Sequence, residues 1–178
     1  MNNTATLTKT NWAIDNAHSE ITFKVRHMMI ASVSGKFEKF TASAETEDDD
    51  FTTAKVRFSA ETASVNTHAA DRDNHLRSAD FFDSENYPEM TFESTSISEN
   101  SLTGNLTIRG ISKPVTLKLE HGGMGKDPWG NTRLGFTVSG KINRKDWGLN
   151  WNAALETGGV LVSDDVTITC EIQLVKQA

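Results

Sequence analysis

Residues 166–174, VTITCEIQL, set Val166, Ile168, Cys170, Ile172 and Leu174 at every second position. A hydrophobic period of two belongs to an extended strand with one dry and one wet face, because successive side chains point to opposite sides. The same period recurs along the chain. Ile21, Phe23 and Val25 alternate with Thr22, Lys24 and Arg26; Ala54, Val56, Phe58 and Ala60 alternate with Lys55, Arg57 and Ser59. Leu102, Gly104, Leu106 and Ile108 read alike, as do Val115, Leu117 and Leu119, and Leu134, Phe136 and Val138; Met90, Phe92 and Ser94 suggest another strand. Val33, Gly35 and Phe37 stay in phase with Phe40, Ala42 and Ala44 only if one residue is inserted at Glu38 or Lys39, the pattern of a β-bulge.

Turn residues separate these runs: acidic Glu45 to Asp50, Asn100 with Ser101, Arg109 with Gly110, and Gly122 to Gly130, the last read as a flexible hairpin connection. Consecutive strands are therefore expected to be meander neighbours. Helical spacing is confined to about Ala69 to Phe82, with a second short candidate at Met28 to Ala31. The expected fold is all-β: a single antiparallel barrel of about eight strands with a short helical insertion, closed so that no sheet edge stays exposed. Such a barrel is wide enough to enclose one small ligand. Residues 1–10 read as a flexible N-terminal segment and 11–178 as one domain, without repeat or linker.

Composition narrows the function. The 178 residues carry a net charge of −6 and a pI near 5.3, which argues against binding a phosphate backbone, so no nucleic-acid partner is expected. The longest uninterrupted apolar run is Met28 to Ala31, against roughly 20 residues for a membrane helix, so no transmembrane segment is expected. Met1 to Asn11 lacks the apolar stretch of a secretory signal, which makes the cytoplasm the expected location. Cys170 sits in an alternating strand and reads as a buried, inert thiol.

Chemistry-bearing residues are sparse. Thr67, His68, Asp71, Arg72, Asp73, Asn74 and His75 form the richest cluster; in a helix, His68, Asp71, Arg72 and His75 share one side, a conceivable but weak metal set. The plainer expectation is that Asp71 or Asp73 caps the helix, Arg72 pairs with a carboxylate and His75 lies at the boundary, so no metal is assigned. His27 ends its strand in phase with the apolar face. His18 and Ser19 have no nucleophile elbow around them, and Arg144, Lys145, Asp146 and Trp147 read as a strand-end ion pair beside an indole.

Four segments carry a resemblance: WAIDNAHSEITFKVRHMMIASVSGKF (Trp12 to Phe37), SVNTHAADRDNHLRSADFFDSENYPEMTF (Ser64 to Phe92), GNLTIRGISKPVTL (Gly104 to Leu117) and RKDWGL (Arg144 to Leu149). In this order, and across nearly the whole chain, they resemble the YceI-like family. The resemblance implies a lipocalin-like barrel of eight strands around an elongated apolar tunnel for polyisoprenoids or other long-chain amphiphiles, often as a homodimer and without established catalytic residues. Members are frequently periplasmic, a pattern from which the missing signal departs. The resemblance also places Arg72, His75, Leu76, Phe81 and Phe82 in a helical insertion near the barrel mouth.

The expected function is non-enzymatic binding, storage or transport of a long-chain lipid of the polyisoprenoid, isoprenoid quinone or fatty amide class. Phe23, Val25, Phe37, Phe58, Phe92, Leu106, Leu117, Phe136 and Ile168 are the expected tunnel lining. His27, Arg72, His75, Phe81, Phe82 and Arg144 are the expected head-group or mouth contacts. Each buried CH₂ contributes about 0.8 kcal/mol, so a tail of roughly 20 carbons has a gross transfer term near 16 kcal/mol and needs few polar anchors. No cofactor is expected beyond a bound lipid. The alternatives are a lipid-directed enzyme using His27, Asp71 and His75, and a stress-associated interaction protein.

Overall fold

The computed structural model describes residues 6–155 and 161–178. Its strands are β1 (Lys9–Ile14), β2 (Glu20–His27), β3 (Ala31–Phe37), β4 (Phe40–Glu47), β5 (Asp50–Glu61), β6 (Val65–Asn66), β7 (Glu89–Ile97), β8 (Ser101–Ile108), β9 (Ile111–Lys126), β10 (Thr132–Asn143) and β11 (Val162–Lys176); the single α-helix among the described residues is α1 (Ala70–Arg77). All pairings are antiparallel, in the order β1-β4-β5-β7-β8-β9-β10-β11-β2-β3-β6, and β1 also pairs with β11.

Eleven segments make eight staves, because three staves are bent. β1 and β2 follow one another along β11, with Trp12 opposite Lys176 and His27 opposite Val162. On their other side they follow β4 and then β3, with Trp12 opposite Ala44 and Ile21 opposite Phe37. β5 and β6 run likewise beside β4 and β3. Closing β11 onto β1 and β2 completes an eight-stranded barrel, the solution to unpaired sheet edges that the alternation called for.

The one-residue phase change expected at Glu38 or Lys39 falls at the bend between β3 and β4. There the N–H groups of Glu38 and Lys39 donate to the carbonyl and hydroxyl oxygens of Ser64, at 3.2 and 3.1 Å. Other expectations need correction. Order begins before residue 11: Lys9 pairs with Glu47, and Thr10, paired with Thr46, is buried. Residues 1–5 of the expected N-terminal segment lie outside the described residues. Met28 to Ile30 form a turn rather than a helix, with Met28 and Met29 at φ 53° and 59°. Gly122 to Lys126 belong to β9, because pairing with β10 continues from Gly123 opposite Gly135 to Lys126 opposite Thr132; the turn is confined to the residues beyond.

The expected helix to Phe82 stops at Arg77. Ser78 is extended at φ −74° and ψ 171°, its hydroxyl and N–H both donate to His75 O, and the Phe82 N–H turns back to Leu76 O. That turn sends Phe81 and Phe82 toward the barrel interior instead of along a helix face.

Candidate functional site

The barrel interior is hollow. A cavity of about 540 Å³ runs through it, walled by inward residues from nearly every stave. Phe23, Val25, Phe58, Leu117 and Ile168 are only half-buried although they point inward, because the surface they keep faces this lumen; Phe37, Phe92, Leu106 and Phe136 are buried in the wall between neighbours. The structure thus brings all nine expected lining residues to one cavity.

Three inward glycines keep the lumen wide. A Cβ on Gly35 would stand 2.5 Å from the Phe23 ring, one on Gly104 would run into the Glu93 carbonyl and meet the Phe92 ring at 2.5 Å, and one on Gly140 would meet Leu117 at 2.5 Å. Each large side chain lies flat over the glycine of the adjacent strand instead of projecting across the tunnel.

The two ends differ. Trp12 meets Phe51 edge-on and Phe51 meets Phe136 at a tilt at one end, with ring centroids 5.2 and 4.9 Å apart. Trp12 is 1% exposed and donates from Nε1 to Thr46 Oγ1 at 3.1 Å, which closes this end with a hydrogen-bonded indole. At the opposite end the wall includes Arg26, His27, Thr67, Asp71, Arg72, His75 and Arg144, and Arg26, Asp71 and Arg72 are exposed to solvent; this is the mouth. Asp71 is the one carboxylate on the wall among the described residues, against three guanidinium groups. Two exposed guanidinium groups, Arg26 and Arg72, thus stand at the entrance to an apolar tunnel.

Thr67, Arg72 and His75 are held by specific chemistry. Asp73 Oδ1 accepts from the Thr67 N–H at 2.8 Å and the Thr67 hydroxyl at 2.6 Å, both buried. Arg72 in turn donates from Nε to Thr67 Oγ1 at 2.8 Å and from Nη2 to Thr67 O at 2.7 Å, leaving its Nη1 without a protein partner among the described residues. The expected capping role of Asp71 or Asp73 gives way to Ala69 at the N-cap, without a side-chain cap, and the expected Arg72–carboxylate pair gives way to this threonine anchor. His75 Nε2 is 2.9 Å from Asp80 Oδ2, and its ring meets Phe81 and Trp151 edge-on at 5.0 and 4.5 Å. With Phe82 packed on Phe37 at 5.6 Å, these rings roof the mouth.

Arg144 lines the cavity but is a tie rather than a free cation. It is 4% exposed and donates to the carbonyl oxygens of Ser163, Leu149, Trp151 and Val162. Burial lowers its pKa from the usual arginine value. The expected ion pair next to it comes from Lys145, 3.2 Å from Asp164, while Trp147 is buried and donates to Leu106 O at 2.8 Å. His68, at φ 63° before α1, is not on the cavity wall, so the His68, Asp71 and His75 set is not assembled. Among the described residues no three His, Cys, Asp or Glu side chains converge to hold a metal ion. Cys170 faces the lumen, and its shielding from bulk water pushes the thiol up to about 12.

Sequence reasoning missed Arg26, Trp151, Leu161 and Val162 on this wall. Arg26 is out of phase with the inward face of β2, and Trp151 sits in irregular chain, so neither has a periodic signal.

Comparison with known proteins agrees with this architecture. The model of the YceI-like domain matches residues 12–174. UPF0312 protein SA2479 of Staphylococcus aureus (strain N315) is 41% identical over 158 residues, covering 88% of this chain and 92% of that protein. The crystal structure of the Campylobacter jejuni YceI protein superposes with a TM-score of 0.73 at 32% identity, over 86% of this chain and 90% of that one. A polyisoprenoid binding domain from Saccharophagus degradans shares the fold at a TM-score of 0.70 and 14% identity, over 93% of this chain and 98% of that domain. With the family match spanning the barrel from its first buried tryptophan to the last inward leucine of β11, the chain belongs to the YceI-like family.

Proposed function

We propose that this protein binds and carries a single long-chain amphiphile, its apolar chain in the tunnel and its polar head at the mouth, without acting on it chemically. The observation that carries the reading is the hollow, closed-ended apolar lumen with cationic groups gathered at one opening. The fold shared with a polyisoprenoid binding domain supports an isoprenoid tail.

The geometry assigns roles. Arg72 offers an unused Nη1 to a phosphate or carbonyl oxygen, and Arg26 and His27 stand on the same rim. His75 is engaged with Asp80 and wedged between aromatic rings, which suits positioning the roof over a head group better than exchanging protons with one. Desolvation of the chain supplies the affinity and the mouth supplies orientation.

Native mass spectrometry of gently purified protein, followed by solvent extraction, tests the reading. A co-purifying lipid, or binding of added polyprenyl phosphate at one per chain, is the expected result. Neither retained lipid nor affinity for long-chain isoprenoids would sink it. Leu106→Trp or Phe58→Trp should fill the lumen and cut uptake with a stability cost of about 1–3 kcal/mol.

A further inference from the structure

The β2–β3 hairpin ends in Met28, Met29 and Ile30, which are 41%, 62% and 78% exposed. Such a run of exposed large apolar side chains is unusual on a soluble surface. Turn chemistry does not select it: Met28 and Met29 adopt φ of 53° and 59°, where Asn and Gly are favoured. The tip is nevertheless held in place. The Met28 N–H donates to Leu161 O at 2.7 Å, and Arg26 Nη2 donates to Met29 O at 3.0 Å.

Its position gives it meaning. Arg26, His27, Leu161 and Val162, which root the tip, all line the tunnel, so the apolar prong rises from the rim of the mouth itself. Arg26 stands directly behind it, its guanidinium bonded to Met29 O, where the phosphates of a bilayer would lie once the prong was immersed. A protein partner is a poorer fit, because a three-residue tip offers on the order of 300 Å², against roughly 800 Å² per partner for a stable interface. Unbranched, adaptable methionines suit a fluid environment better than a shaped pocket.

We propose that Met28, Met29 and Ile30 dip into the surface layer of a lipid bilayer and seat the tunnel mouth against it, so that a long-chain amphiphile passes between two apolar phases without crossing water. This inference rests on the lipid-binding reading and adds the surface from which the ligand is collected. Trp129, 81% exposed on the β9–β10 hairpin at the closed end, has no such relation to the mouth and serves as the control.

The test uses the full chain with phosphatidylcholine vesicles carrying a fluorescent polyprenyl phosphate. Co-sedimentation and the rate of probe transfer are read alongside the affinity for farnesyl phosphate in vesicle-free buffer. Met29→Ser/Ile30→Ser should weaken vesicle association about tenfold or more and slow transfer in parallel, with farnesyl phosphate affinity unchanged and Trp129→Ser without effect. Equal association of parent and double variant would overturn the proposal. So would a shift of the double variant to a smaller species in solution with vesicle association intact, which assigns the tip to a second copy. Vesicle association that depends on the tip, in a chain that binds no farnesyl or polyprenyl phosphate, supports the docking surface and removes the lipid-binding reading instead.

Discussion

Gly35 and Phe23 face each other across the β2–β3 ladder, and the Phe23 ring lies where a Gly35 side chain would be. A methyl group on Gly35 would meet the Phe23 ring at 2.5 Å and Thr67 Cγ2 at 2.8 Å; the ring, the far end of a side chain with two rotatable bonds, gives way more readily than the buried threonine. Phe23 borders the lumen, so a displaced ring takes space from it. Gly35→Ala should therefore keep the fold at a cost of about 1–3 kcal/mol while shortening the longest isoprenoid taken up. A chain-length series of polyprenyl phosphates measures this, and an unaltered length preference would show that Phe23 does not set the bore.

The pairing of Asp73 with Thr67 predicts a coupled loss. Asp73→Ala leaves the Thr67 N–H and hydroxyl without their buried acceptor, a penalty of about 1–3 kcal/mol. Because Thr67 also holds Arg72, affinity for a phosphorylated ligand should fall more than affinity for an uncharged one. Urea unfolding and paired titrations with an isoprenoid phosphate and its alcohol give both quantities.

Arg133 joins two carboxylates on the outer surface, 2.6 Å from Asp15 Oδ2 and 2.8 Å from Asp127 Oδ2. Its guanidinium, with a smaller contribution from His18, brings the Asp15 carboxyl down to about 2 from 3.8. Hydrogen bonding to the same guanidinium also lowers Asp127. A carboxylate depressed in the folded state contributes fully above its unfolded value, here about pH 4, and its contribution is lost as pH falls through about 2. Stability should accordingly decline with acid across that window, and Arg133→Met should flatten the decline. Chemical denaturation at stepped pH would disprove the assignment if the two slopes matched.

Cys170 reports on the lumen. With its thiol raised to about 12 by burial first and the charge of Glu171 second, little thiolate exists near neutrality. Alkylation by iodoacetate at pH 8 should run two to three orders of magnitude slower than in urea-unfolded chain. Native protein reacting at the unfolded rate would mean that the lumen is open to bulk water at this depth.

The fold was legible because a two-residue period survives translation into structure: Val166 to Leu174 alternate in the sequence and line a lumen in the barrel. The hollow was not legible. Phe58 has the same period whether its neighbours fill the centre or leave it empty, and the glycines that make the difference act through space, on Phe23, Phe92 and Leu117 in neighbouring strands. The mouth was half-legible. His27 and Arg72 stand in segments with a readable pattern, but Arg144 exchanged its expected place among head-group contacts for four backbone carbonyls, a role set by irregular chain folding back on it. The strand through Gly122 was hidden by composition: glycines read as a turn, and only the partner strand shows that they are paired.

β11 is bonded to β10 on one side and to β2 and β1 on the other, so the stave that seals the barrel is also the last to be synthesised. Without β11 the edges of β10, β1 and β2 have no partner and the lumen is not enclosed. Sealing joins Trp12 to Lys176, nearly the full sequence apart, and pairing across such separations is slow. A chain in which β11 had yet to pair would admit a long guest from the side rather than through the mouth. Refolding in the presence of lipid should then trap guests that the finished barrel admits only slowly.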